Sequence, residues 1–191
     1  QDGKFDENLF SVKAQLPQVK MIEIKLSQGA KPGHGGMLLG AKVSPEIAET
    51  RNVEPFKDVI SPHKHSEFST PEELLNFAKK LRDLSGGKPV GIKLCIGHPW
   101  EFTAIVKAMV QSKISLDFIT VDGSEGGTGA APFEFTDHLG SPLRDAIVFV
   151  DNALIGAGLR DRVKVGASGK IVSAYDIARV CAIGADWCNM A

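Results

Sequence analysis

Four segments hold the residues best suited to chemistry. The first, KLSQGAKPGHGG at 25–36, sets four glycines within eight residues, with Gln28, Lys31 and His34 among them. Such a loop lets backbone approach a ligand closely and offers a cation to an anionic group. A flexible solvated loop has the same composition. The second is Lys93, inside the apolar run VGIKLCI. An ammonium in a strand buried on both faces is costly without a partner. It either points into a site at the strand's carboxyl end or snorkels to the rim. The third is DGSEGGTGAAP at 122–132, where Asp122 and Glu125 lead into Gly126, Gly127 and Thr128. Backbone amides in such a run cradle a phosphate or a flat ring; a plain strand-to-helix turn is the other reading. The fourth is VGASGKIVSAYD at 165–176, where Ser168, Gly169 and Lys170 precede a helix start near Ser173. That pattern suits a phosphate held by turn amides and a helix N-terminus.

Other chemistries find little support. The GGTG run lacks the GK[ST] of a nucleotide-triphosphate loop and does not match GxGxxG. No GxSxG is present, and no cysteine is flanked by a suitable base. His63 and His65 form an HxH pair without an evident third ligand, so no metal site is expected. His98 and His138 fall in turns.

The elements that position these segments follow a repeated unit. VKMIEIKL at 19–26 reads as a strand, and a connection of about forty residues follows, long enough to suggest a functional loop. Within it only 45–50 reads as helical, capped by Ser44. Thr70 as N-cap, Pro71 at the first position and acids in the first turn open a helix running to about Leu84. Strands at 90–96, 116–121, 162–165 and 186–190 then alternate with helices at 100–111, 142–157 and 173–183. Apolar strands alternating with helices of this length indicate βαβ units and a parallel sheet. Each glycine-rich loop lies on the carboxyl side of a strand, the ligand-binding side of such sheets. Five strand starts are too few to close an eight-stranded barrel.

The 191 residues are 43% hydrophobic and 24% charged, ordinary for a globular domain. A formal net charge of −1 gives no electrostatic case for nucleic acid or an anionic membrane. No apolar run approaches the ~20 residues that span a bilayer. Cys95, Cys181 and Cys188 are odd in number and lack CxxC spacing, which points to reduced thiols in a cytoplasmic setting. The chain starts at Gln1 and stops within a strand-like stretch, so the expectation is a piece of a longer polypeptide.

Taken in order, KLSQGAKPG, IAETR, ISPHKHSEFST, VGIKL, DGSEGGTGAAP, GLRDRV and GADWCN resemble the FMN domain of glutamate synthases. They resemble most the shorter related proteins that lack the amidotransferase domain. The resemblance runs from about Asp2 to Ala191 and implies a (β/α)8 TIM barrel of the FMN-binding type. The chain would supply roughly its fourth to eighth strands, as part of one domain truncated at both ends. It implies an oxidoreductase that reduces a 2-imino acid to an amino acid such as glutamate. Electrons would come from NAD(P)H or ferredoxin through a 3Fe-4S cluster whose ligands lie outside these residues, and ammonia from a partner or separate domain.

Residue by residue, the resemblance gives Gln28 to the active-site loop and sets Lys31 and Arg51 to hold the 2-oxoglutarate carboxylates. Lys93 stands at the flavin N1/O2 edge; Gly126, Gly127 and Thr128 lie beside the flavin; Ser168, Gly169 and Lys170 form the phosphate turn. Lys93 and Lys31 are the catalytic candidates. The large synthases read DGG at the phosphate turn and KPGEGGQ where this chain reads KPGHGGM. His34 thus replaces an acid, and Met37 a glutamine that contacts substrate. The alternatives are a related FMN oxidoreductase on another oxo or amino acid, a non-catalytic flavin-binding subunit, or a lyase using Lys93 as a Schiff base.

Overall fold

The computed structural model describes residues 4–127 and 129–190. In chain order it contains α1 (Glu7–Ala14), β1 (Ile22–Lys25), β2 (Met37–Leu38), a 3-10 turn (Gly40–Lys42), α2 (Pro45–Arg51) and β3 (Val59–Ile60). There follow α3 (Pro71–Leu84), β4 (Val90–Leu94), α4 (Pro99–Ser112), β5 (Phe118–Asp122), α5 (Leu143–Gly156), β6 (Lys164–Ser168), α6 (Ala174–Ala182) and β7 (Trp187–Asn189). The chain divides into two units: one uses residues up to Pro32 and from Ser66 onward, the other is Gly33–His65.

The larger unit is one parallel sheet in the order β1-β4-β5-β6-β7. Period-two alternation divides its residues between two faces. Ile24, Ile92, Leu94, Ile119, Val121, Val165 and Ala167 are buried in a core shared with apolar residues of α3, α4, α5 and α6. The opposite face carries Glu23, Lys93, Thr120 and Asp122. There Thr120 Oγ1 donates to Glu23 at 2.6 Å, and the Trp187 ring packs edge-on to Phe118 with centroids 5.7 Å apart. Gly166 is small because of that tryptophan: a Cβ there would lie 2.5 Å from the indole. Helices over one face and polar groups on the other describe the wall of a (β/α) barrel, seen here as an unclosed arc of five strands.

Local chemistry explains where the helices begin. Thr70 and Glu73 form a reciprocal capping box on α3, and Ser173 and Asp176 form another on α6. Each box stabilises the charged carboxylate. The Ser69 and Thr70 donors hold Glu73 below the usual carboxylate range, and those of Ser173 and Val172 do the same for Asp176.

Three features differ from expectation. An additional helix, α1, starts at Asp6, whose carboxylate accepts from Leu9 N at 2.9 Å. It docks on α3 through Phe5 against Phe77 and a Lys80–Glu7 ion pair of 3.0 Å. The long connection after β1 is a folded unit: β2 and β3 pair antiparallel, Met37 with Ile60 and Leu38 with Val59. Two-residue strands show no periodicity, so the pattern could not reveal them. Ser44 does cap α2, accepting from Ile47 N at 3.3 Å. Finally, β6 runs to Ser168, so the fourth segment turns only at Gly169 and Lys170.

Candidate active site

The carboxyl ends of β4, β5, β6 and β7 surround a pocket of about 350 Å³. Gln28, Lys93, Asp122, Gly126, Gly127, Ser168, Gly169, Lys170, Ile171, Val172 and Asn189 line it. The structure therefore brings together eight residues that sequence reading scattered over four segments. Thr128 lies outside the described residues.

Alternation along β4 turns Lys93 away from the helical core. Its Nζ lies 3.4 Å from Asp122 Oδ2, and the two side chains are 21% and 6% exposed. The same oxygen accepts the Gly29 amide at 3.0 Å. A Cβ at Gly126 would come within 2.7 Å of Asp122 Oδ1, so this wall is closely fitted. Asp122 and Glu125, which looked alike in sequence, serve different ends. Glu125 accepts the Leu143 amide through both oxygens at 3.0 Å and so caps α5, where Pro142 offers no side-chain acceptor.

The Gln28–Lys31 turn is laced to the turn after β5. Ala30 N donates to Gly126 O at 3.0 Å, and Lys31 N to Gln28 O at 3.3 Å. Gly29 permits this: an added Cβ would meet Gly123 O at 1.7 Å. Lys31 is only 7% exposed. Beneath the turn, Cys95 is buried, and its thiol is pushed up to about 11 by burial and then by the negative charge of Asp122. A thiol so protonated is a packing group at neutral pH, not a nucleophile.

On the opposite wall Ser168 O accepts the Gly123 amide at 2.9 Å, and the chain turns with φ of 130° at Gly169 and 44° at Lys170. The first of these favours glycine. The capping box already uses the amides of Val172, Ser173 and Asp176. Those of Lys170 and Ile171 have no acceptor among the described residues. An anion at this turn would meet those two amides and Lys170, whose ammonium lies 3.6 Å from Asp137. These donors, and a pocket lined also by Lys93, Gly126 and Gly127, fit a phosphate joined to a ring system.

Arg51 and Met37 belong to the smaller unit. Arg51 ends α2, where Asn52 adopts a left-handed C-cap, and Met37 is 53% exposed on β2. In the same unit His34 Nδ1 lies 2.6 Å from Gly35 O. His63 and His65 do not join a metal-capable trio, and none occurs among the described residues. No described helix is long and apolar enough to cross a membrane. Sequence reading overlooked Asn189, which shares a strand face with Trp187 and so turns to the pocket. It also overlooked Asp122 as the partner of Lys93.

Residues 6–191 match the family model for the conserved region in glutamate synthase. The chain is 48% identical over 190 residues to the glutamate synthase large subunit-like protein YerD of Bacillus subtilis, covering 100% of this chain and 36% of that protein. It is 41% identical over 185 residues to the archaeal glutamate synthase [NADPH] of Methanocaldococcus jannaschii, covering 96% and 35%. The chain thus spans about a third of the length of these curated relatives. Among solved structures, a mutant flavocytochrome b2 with benzoylformate superposes with a TM-score of 0.57 at 14% identity, covering 96% of this chain and 38% of that one. At such identity the likeness concerns the fold alone, and it agrees with the barrel class expected. The motifs, the strand order and the match over 6–191 lead to one assignment: the chain belongs to the glutamate synthase family, through that family's conserved region.

Proposed function

We propose that the chain forms part of an FMN-dependent oxidoreductase of the glutamate synthase type, reducing 2-iminoglutarate to glutamate. The observation that carries this reading is the convergence of Lys93, the Gly126–Gly127 turn and the Ser168–Lys170 turn on one pocket. FMN, when bound, supplies hydride. The chain's residues hold and bias it. Lys170 and the amides of its turn take the phosphate. Lys93 places a fixed positive charge at the flavin N1/O2 edge, where negative charge develops on reduction. Gln28 completes the cofactor contacts.

Lys31 offers a cation to a substrate carboxylate; Arg51 and Met37, in the smaller unit, are assigned to the substrate by the family resemblance. Electrons come from NAD(P)H or ferredoxin through a 3Fe-4S cluster held outside these residues. NADPH appears in the name of the archaeal relative. Ammonia comes from a partner or another domain, and the setting is cytoplasmic. The test uses full-length protein: bound FMN, reduced anaerobically, should be reoxidised rapidly by 2-oxoglutarate with ammonia or glutamine. Flavin that binds but is not reoxidised would defeat this substrate assignment and leave an oxidoreductase of another oxo acid or a flavin-binding subunit.

A further inference from the structure

Asp122 stands where two parts of the site meet. Its carboxylate is 6% exposed, and a single oxygen, Oδ2, takes both Lys93 Nζ at 3.4 Å and the Gly29 amide at 3.0 Å. These donors come from different elements: Lys93 from β4, and Gly29 from the turn after β1 that carries Gln28 and Lys31. Asp122 itself ends β5, between the β4 strand of Lys93 and the β6 strand of Ser168. Its other oxygen has no hydrogen-bond partner among the described residues, and Asp122 lines the pocket.

We infer that Asp122 is a positioning residue that locks Lys93 and the Gln28–Lys31 turn into one unit, aligning the flavin lysine with the substrate-binding turn. This rests on the flavoenzyme reading of the same pocket. Two consequences separate the roles of its charge and its acceptor. The negative charge holds the Lys93 ammonium in place, so removing it lets the lysine shift relative to the flavin. The acceptor fixes Gly29, so removing it frees the turn.

Full-length protein carrying Asp122→Asn, Asp122→Ala, Lys93→Met, or Lys93→Met with Asp122→Asn separates these effects. Asp122→Asn keeps an oxygen for Gly29, and Asp122→Ala does not. In flavin-free protein, hydrogen exchange at Gly29–Lys31 should accelerate at least tenfold in Asp122→Ala and by clearly less in Asp122→Asn. In holoenzyme the change in flavin midpoint potential caused by Asp122→Asn should differ clearly between the parent and the Lys93→Met background, because two fixed charges shift it additively and a lysine held by the carboxylate does not. Unchanged exchange in Asp122→Ala would overturn the inference. So would effects of the two substitutions on the potential that simply add. Protein that folds but binds no flavin would defeat the flavoenzyme reading, and the exchange measurement would still decide the role of Asp122.

Discussion

The two ends of the parallel sheet use the same residue type for opposite purposes. At the amino ends, Asp117 Oδ2 accepts the Val90 amide at 2.7 Å while Arg82 donates to it through Nε at 3.0 Å and Nη2 at 2.8 Å. The motif recurs further along the sheet. Asp186 Oδ2 accepts the Val165 amide at 2.7 Å and pairs with Arg160 Nη2 at 3.0 Å. Each aspartate pins the start of the neighbouring strand, and each arginine follows or ends the helix before it. At the carboxyl ends Asp122 pairs with a lysine at 3.4 Å, and the surrounding turns are glycine. Arginine's planar fork fixes geometry, whereas lysine is a compact charge on a flexible stem. The βα repeat thus keeps its register at one end and leaves the other open to a ligand.

The contrast predicts which substitutions separate chemistry from stability. Lys93→Met in full-length protein should slow flavin reduction by about 10²–10³, the usual loss for one positioned electrostatic group. The protein should still fold, with a melting temperature lowered only by the loss of the Asp122 ion pair. Stopped-flow reduction and calorimetry check both halves, and unchanged reduction would remove Lys93 from the mechanism. Asp186→Ala is the converse. It leaves Arg160 short of a partner and the Val165 amide without its acceptor, at a cost of about 2–3 kcal/mol. Bound flavin should keep its spectrum and potential. A chemical-denaturation midpoint that does not fall would show that the clamp is dispensable.

The pH dependence sharpens the same contrast at the carboxyl end of β4. Burial, then the charge of Asp122, raises the Cys95 thiol from 9.0 to about 11. Below pH 9 the thiol is protonated in both folded and unfolded chains, so stability is undiminished there. As pH rises from 9 towards 11, the unfolded chain ionises first and stability falls, by up to about 2–3 kcal/mol. Cys95→Ala should flatten this alkaline decline in thermal melts. A decline of equal slope in the variant would assign it to other groups.

Much of the larger unit was legible because its signals are local. Thr70 and Ser173 announce their helices within four residues, and the apolar strands need no partner to be recognised. The same holds for Lys93 and the glycine turns, whose oddity shows within a few positions. What escaped depends on contacts distant in sequence. Asp122 meets the Gly29 amide across 93 positions. Glu125 becomes a helix cap only when Leu143 arrives, 18 residues later. Asn189 faces the pocket by strand parity, which Trp187 would have disclosed had the facing of β7 been known. Neither α1 nor the β2–β3 ribbon has a strong periodic signal, and each is too short to stand alone.

The smallest expected effect concerns Arg51 and Met37, which belong to the smaller unit. Arg51 can hold a planar carboxylate by two parallel charge-assisted hydrogen bonds, which lysine cannot reproduce. Arg51→Lys should therefore weaken 2-oxoglutarate binding while leaving bound FMN untouched. Met37, half-exposed on β2, offers an apolar contact where the large synthases have an amide. A substrate oxygen facing it loses one hydrogen bond, worth about 1 kcal/mol net. Met37→Gln should thus tighten 2-oxoglutarate by about fivefold, the equivalent of that energy, with neutral 2-oxo acids gaining less. Flavin-perturbation titration of full-length protein measures both. The dicarboxylate assignment requires 2-oxoglutarate to outbind neutral acids in the parent and Met37→Gln to widen the gap. Equal binding of both classes, or no gain in the variant, would transfer the substrate to another oxo acid while the flavin pocket kept its assignment.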